Sequence, residues 1–263
     1  PAPPSPPAPP SPPAASSGAF PDASNTGVPA GTTLVPSGDL TISTAGTVVE
    51  GKDIRGGVQI NASNVTLRSS SVTSGDDFSV IRIKEGVTSV RIEDVTVNGL
   101  GNSGTAGSMG IMGPAIVVRA DISGVENGFT PDSGSVLQDS WIHDLASPGS
   151  PHIDGVQIDG GQEGIRLLHN TIDMREWDQT ATVMIDNYFG DIRNIQVDGN
   201  RLLGAGFTVY SDGSFDGGSI SGVSFTNNHL GKGYWGYALI RGNATTPAWS
   251  GNVVDGTRTA VNR

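Results

Sequence analysis

The chain has 263 residues, 38 of them Gly, which is about twice the usual share, and a net charge of −11. Cys is absent, which excludes a disulfide framework, a Cys-based zinc site and a thiol nucleophile. No run of 18 apolar residues is present, so we expect no membrane insertion, and the acidic charge argues against nucleic-acid binding.

The N-terminal residues 1–18 predict an extended linker. Nine of the first thirteen residues are Pro, and such a tract adopts polyproline II, a stiff spacer of about 3.1 Å per residue. We expect this segment to tether the domain to an upstream module. An SH3-type ligand is less favoured, because the tract lacks the basic residue that such ligands usually carry.

Residues 19–39 are predicted to form an N-terminal lead-in segment and cap, and residues 40–263 a single repeat domain. In the repeat, two apolar residues spaced two apart are followed by a small or amide residue and another apolar residue. It occurs at 64–72, 89–97, 134–142, 164–172, 194–202, 222–230 and 248–254. Another short strand precedes each copy, and we call it the first strand of the unit; the copy itself supplies the second. The first strands are predicted at 57–60, 80–84, 115–119, 155–159, 182–186, 207–210 and 237–240.

These units of about 25–30 residues occur seven times, and an eighth is plausible at 40–54. A unit this small cannot bury its own apolar face, so it must stack on its neighbours as a parallel β-solenoid. In the last four copies the polar position is Asn, which predicts a ladder of stacked amides. The alternative is that Asn simply favours turns. The four residues are Asn170, Asn200, Asn228 and Asn252.

The longest stretches between repeat strands are predicted loops that form one wall of a groove. They are 98–114, 120–133, 143–154 and 173–181. The Gly-rich stretch 99–113 is predicted to be a mobile flap. It does not have the Gly-Lys-Ser/Thr ending of a phosphate-binding loop.

The repeats at 40–257, the opening GAFPDASNTGVPAG at 18–31 and the phrase HIDGVQID at 152–159 resemble pectate-lyase-like β-helix proteins, of the actinobacterial secreted or phage tail type. This resemblance implies an all-β fold, a right-handed single-stranded parallel β-helix of about seven or eight coils. It also implies an extracellular or virion-associated protein. It leaves the activity open, because the fold hosts lyases, hydrolases, epimerases and binding proteins.

The alternation within the first strands predicts an acidic pair on the outer face. Val156 and Ile158 point inward, so Gln157 and Asp159 point outward, and the next coil presents Asp186 in the same way. Two carboxylates about 5 Å apart repel each other, which raises one pKa, and their separation suits a retaining glycosidase. The alternative is that Asp159 only shapes a turn with Gly160.

His152 and Asp154 end the 143–154 loop, where a His is placed to exchange a proton over the groove. We therefore predict His152, Asp154, Asp159 and Asp186 as catalytic residues. A metal site, for example for calcium, built from His152, Asp154 and Asp159 is conceivable. Its spacing is not diagnostic, so we assign no metal ligand.

Substrate-binding residues are predicted on the same outer face. Arg82, Lys84 and Arg119 form a cationic strip that could bind uronate carboxylates, and Tyr210 could stack on a sugar ring or act as a base. Gln157 lies beside the acidic pair. The alternative is an ordinary sheet face of mixed charge.

Two functions are compatible with these features. The first is a polysaccharide lyase or glycoside hydrolase that acts in a groove along the solenoid, with a polysaccharide as partner. The second is a non-catalytic structural or receptor- and glycan-binding domain of a phage tail or surface-display protein. The outward His, Asp, Arg and Tyr side chains favour the first, and the proline tether favours the second.

Overall fold

The computed structural model describes residues 18–75, 78–101, 108–148 and 152–262. Most of the predicted linker therefore lies outside the described residues. The described part of the chain contains 30 β-strands, numbered β1 to β30 in chain order, and no helix. It accordingly offers no helix of the length and hydrophobicity needed to cross a bilayer.

The strands form three long parallel sheets and one short pair. Sheet I contains β2 (Leu40–Ile42), β5 (Val58–Ile60), β8 (Ser79–Ile83), β11 (Met109–Gly113), β14 (Asn127–Pro131), β17 (Asp154–Ile158), β20 (Ala181–Ile185), β24 (Phe207–Asp212) and β28 (Gly236–Arg241). Sheet II contains β3 (Val48–Glu50), β6 (Thr66–Arg68), β9 (Arg91–Glu93), β12 (Ile116–Val118), β15 (Val136–Gln138), β18 (Arg166–Leu168), β22 (Gln196–Asp198), β26 (Ser224–Thr226) and β29 (Ala248–Ser250).

Sheet III contains β1 (Val35–Ser37), β4 (Lys52–Arg55), β7 (Ser71–Thr73), β10 (Thr96–Asn98), β13 (Asp121–Ser123), β16 (Trp141–Ile142), β19 (Thr171–Met174), β23 (Arg201–Gly204), β27 (His229–Gly231) and β30 (Val253–Val254). The short pair is β21 (Ile192–Arg193) with β25 (Ile220–Ser221). Each coil passes through sheets I, II and III in turn, so β2 to β30 make nine coils.

This architecture is a right-handed parallel β-helix, as the repeat and the resemblance predict. Val156 pairs with Val183 and Ile158 with Ile185 on neighbouring strands. All four side chains are fully buried, and so are the inward residues of sheet II between its first and last strands. The core is thus a continuous stack of aliphatic side chains inside the three sheets.

Each repeat copy, such as 194–202, is predicted as one strand, but it forms two short strands separated by a bend. The Asn ladder lies in this bend. Asn200 lies between β22 and β23, and its side-chain amide donates to Asn228 Oδ1 at 3.1 Å. Asn170 donates to Asn200 Oδ1 at 2.9 Å, and Asn228 donates to Asn252 Oδ1 at 3.0 Å. The predicted ladder is therefore confirmed for all four residues.

The fourth coil differs from the prediction. The stretch 115–119, expected as a first strand, contributes β12 to sheet II, and the sheet I strand of this coil is β11, inside the stretch expected as a flap. A Cβ on Gly110 would lie 2.6 Å from the Gly128 carbonyl oxygen and 2.7 Å from Ile122. Close backbone packing thus requires glycines in β11, and these glycines made the sequence of β11 look like a loop. Residues 102–107 of the expected flap lie outside the described residues.

The lead-in segment runs along the side of the solenoid. The Phe20 ring packs on His229 at a centroid distance of 4.9 Å and on His169 at 5.5 Å. Further along, the Gly27 N–H donates to the Arg119 carbonyl at 2.8 Å. This segment therefore crosses from the eighth coil back to the fourth before the first coil begins.

Candidate active site

Asp159 and Asp186 lie on the outer side of sheet I, each directly after its strand. Asp159 follows β17, Asp186 follows β20, and the Asp186 N–H donates to the Ile158 carbonyl at 3.0 Å. The two carboxyl groups lie near enough that each influences the pKa of the other.

The surroundings of this pair favour the protonated form. Burial, the negative charge of Asp186 and the hydrogen bond to it raise the pKa of Asp159 to about 7. Burial also raises the pKa of Asp186, while the Tyr188 N–H, at 2.8 Å from Asp186 Oδ1, stabilises its charge. At pH 7 Asp159 is therefore about half protonated, so it can act as a proton donor there.

Asp154 is a third carboxyl group, and it is only 2% exposed. It accepts a hydrogen bond from the Ala181 N–H at 3.0 Å. Burial raises the pKa of Asp154 well above its ordinary value, and the charges of Asp159, Asp186 and Glu126 add to this effect. Asp154 is thus a neutral group at the start of β17, five residues before Asp159.

Asp212 continues the acidic row on the next coil and was missed by the sequence analysis. It forms a parallel bridge with Asp186 and is 2% exposed. Burial favours its protonated form, but two hydrogen bonds from Arg241, at 2.9 and 2.7 Å, lower the pKa of Asp212. Asp recurs at the end of three successive sheet I strands, at 159, 186 and 212, and this recurrence is the sequence signal that could have identified Asp212.

Gln157 and Tyr210 lie on the outer row next to the acids. Gln157 pairs with Met184 in the strand register, and its side-chain oxygen accepts from Asn127 at 2.7 Å. Tyr210 packs edge-on against Phe207 at 5.4 Å. Burial raises the pKa of Tyr210, helped by the charges of Asp154 and Asp212, so its phenol stays protonated.

Arg82 and Lys84 line a groove beside sheet I that has a volume of about 1000 Å³. The Arg82 guanidinium lies over the Phe78 ring at 4.8 Å from its centroid. The groove also contains Glu85 and Asp132, and it ends at Gly161 and Gln162, two and three residues after Asp159. Both cations therefore lie in a groove of mixed charge that ends near the acidic pair.

Arg119 does not belong to this surface, which corrects the prediction. It occupies the bend between sheets II and III with φ of 51°, because 115–119 is not a sheet I strand. Its guanidinium donates to Asp94 at 2.7 and 2.8 Å and to Glu93 at 2.5 Å. This ion-pair network gives Arg119 a structural role on another face.

His152 is exposed, two residues before the buried Asp154, and its role as a proton shuttle stays a prediction. A different histidine is ion-paired on sheet III: His143 bonds Asp121 at 2.8 Å and Asp144 at 2.6 Å. Within the described residues, no three His, Asp or Glu side chains are grouped as metal ligands. Calcium binding stays a prediction as well.

Comparison with known proteins gave no match: no family model matches the chain, and no curated protein or solved structure is significantly similar to it. The parallel β-helix itself rests on the three stacked sheets and their register. The chemistry that the site offers is a carboxyl proton near neutral pH on an outer sheet face.

Proposed function

We propose that this chain is a carbohydrate-active enzyme that hydrolyses glycosidic bonds of a polysaccharide lying along sheet I. The single observation that carries the proposal is the Asp159–Asp186 pair, which keeps a proton available near pH 7 on the outer face of the sheet. The sequence resemblance to pectate-lyase-like proteins is compatible with this function. The proposal places the protein outside the cell or on a virion, tethered to an upstream module.

The pair supplies the general acid. Cleavage of a glycosidic bond needs a proton for the leaving oxygen, and a carboxylic acid with a pKa near the working pH is suited to donate it. Asp159, with a pKa of about 7, meets this requirement. Asp154, at the start of β17, is a further neutral carboxyl group on the same sheet, and His152 is our candidate to restore the proton from solvent.

Hydrolysis fits the local charge better than elimination does. A polyuronate lyase must neutralise a sugar carboxylate next to its base, and Arg119 lies on another face. Arg241, two strands from Asp186 on sheet I, is bound to Asp212. A uronate at the pair would therefore meet further negative charge, whereas an uncharged sugar would not.

The test is an activity assay of the full chain on a panel of bacterial and plant polysaccharides. New reducing ends report hydrolysis, and absorbance near 235 nm reports the unsaturated uronate of a lyase. We expect reducing ends only, and a roughly 10²–10⁴-fold loss of kcat in Asp159→Asn and Asp186→Asn. Activity of the parent should fall as the pH rises through about 7, as the Asp159 proton is lost.

Asp173→Asn is the matched control, because Asp173 lies on sheet III in a surface ion pair with Arg175. It should keep full activity. Full turnover in both site variants would place the chemistry elsewhere. Binding without turnover in the parent would favour the glycan-binding domain, and unsaturated products would favour a lyase.

A further inference from the structure

Three exposed aromatic side chains form a cluster at the end of β20 and β24. Tyr188 is 58% exposed, Phe189 70% and Phe215 38%. The rings of Tyr188 and Phe189 meet edge to face at 4.7 Å, and those of Tyr188 and Phe215 at 5.7 Å. Aromatic side chains gathered at a surface mark a contact site for an apolar ligand face.

The cluster is held in place by a buried amide. Asn187 is fully buried, and its side chain donates to the carbonyl oxygens of Phe215 at 2.6 Å and Gly218 at 2.5 Å. In return, the Phe215 N–H donates to Asn187 Oδ1 at 3.1 Å. Two turns from neighbouring coils are thereby fastened together, so the rings are presented on a preorganised support.

This support adjoins both the acidic pair and the groove. The Tyr188 N–H donates to Asp186 Oδ1 at 2.8 Å, so cluster and pair share a turn. The Phe189 backbone also packs closely against Gly160, where a side chain would collide with the Phe189 nitrogen. The next residue, Gly161, is part of the groove wall. The aromatic cluster therefore lies close to both the acidic pair and the end of the groove.

We propose that Tyr188, Phe189 and Phe215 form a sugar-binding platform, on which the apolar face of a pyranose ring in the polysaccharide stacks. A sugar has a C–H face that suits aromatic rings and hydroxyl groups that suit carboxylate and amide side chains. The cluster beside Asp186 offers both kinds of partner. The inference rests on the proposed polysaccharide substrate, but it needs no turnover.

The experiment measures binding of the full chain to an array of bacterial and plant polysaccharides, in an Asp159→Asn background that prevents degradation. The double variant Tyr188→Ala/Phe189→Ala should lose at least tenfold in apparent affinity for the glycan that the background chain binds. In the active chain the same double variant should raise KM more than it lowers kcat. Asn187→Ala should weaken binding while leaving the rings present.

Tyr234→Ala is the control, because Tyr234 is 74% exposed and lies before β28, at the opposite end of the sheet I strands. It should bind as the background chain does. Equal binding by the Tyr188→Ala/Phe189→Ala variant, or no glycan bound at all, would overturn the platform. A change from dimer to monomer on gel filtration would instead assign the cluster to a second copy of the chain. Aromatic-dependent binding without turnover would retain the platform and reject the hydrolase.

Discussion

At the scale of single residues, Asp159 links the candidate chemistry to the stability of the fold. Its pKa is 3.8 in an unfolded chain and about 7 in the folded one. Between these values the folded state keeps a proton that the unfolded state releases, so this residue lowers stability as the pH rises. The full penalty is reached above pH 7, and it is absent below about pH 3.8.

We therefore predict that Asp159→Asn stabilises the chain above pH 7 and flattens its dependence on pH. After allowance for solvent screening at this half-buried site, we expect a gain of about 1–2 kcal/mol. Urea unfolding at a series of pH values measures it. Asp173→Asn should follow the parent, and an Asp159→Asn chain with the parent's pH profile would contradict the raised pKa of Asp159.

The acidic pair could be predicted from the sequence because it needs only strand alternation and stacking. Val156 and Ile158 fix which side chains point outward, and the repeat places Asp186 beside Asp159. Arg119 could not be placed, since its position depends on whether 115–119 is a first or a second strand. How strongly the two acids shift each other's pKa depends on rotamers and burial, which no spacing reveals.

At the scale of elements, the bend between sheets II and III is built around the Asn ladder. The oxygen of Asn200 accepts from both the backbone and the side chain of Asn170. The Asn200 amide in turn donates to the Leu167 carbonyl at 2.9 Å. Earlier coils place small residues here, and Ser140 donates to the Gln138 carbonyl at 2.9 Å. The ladder thus satisfies buried backbone groups that the bend leaves unpaired.

Asn200→Ala should destabilise the chain by about 1–3 kcal/mol, because it removes the acceptor of the Asn170 backbone N–H and the donor to the Leu167 carbonyl and Asn228 Oδ1. Chemical denaturation of the variant and the parent at equal pH is the measurement. Gln196→Ala is the control, since Gln196 lies half-buried on the outer side of the same coil. Equal stability of Asn200→Ala and the parent would show that the ladder does not stabilise the fold.

Strands rich in glycine escaped the sequence prediction. β11 reads MGIMG and β14 reads NGFTP, so each shows a single large inward residue and little alternation. Their glycines let the backbones of adjacent strands approach, since a side chain on Gly110 would collide with the Gly128 carbonyl oxygen. Hydrophobic periodicity depends on side chains, so it gives no signal where close packing requires glycine. The ninth coil was missed for this reason.

At the scale of the whole molecule, the solenoid sets the spacing of the site. Sheet I carries Arg82 on β8 and the acidic pair after β17 and β20, so four strand spacings separate β8 from β20. At about 4.8 Å each, this distance is roughly 19 Å. A polymer chain can therefore contact the cations, the groove and the aromatic platform at once, which a monosaccharide cannot.

We predict that Arg82→Gln/Lys84→Gln weakens binding of an anionic polysaccharide several-fold at low salt, and that the difference shrinks at high salt as the charges are screened. Binding of a neutral polysaccharide should not change. Lys232→Gln is the control, because it removes a positive charge outside the groove. Equal binding of the anionic polymer by the double variant, the control and the parent at low salt would contradict a role of these two cations in binding a polysaccharide.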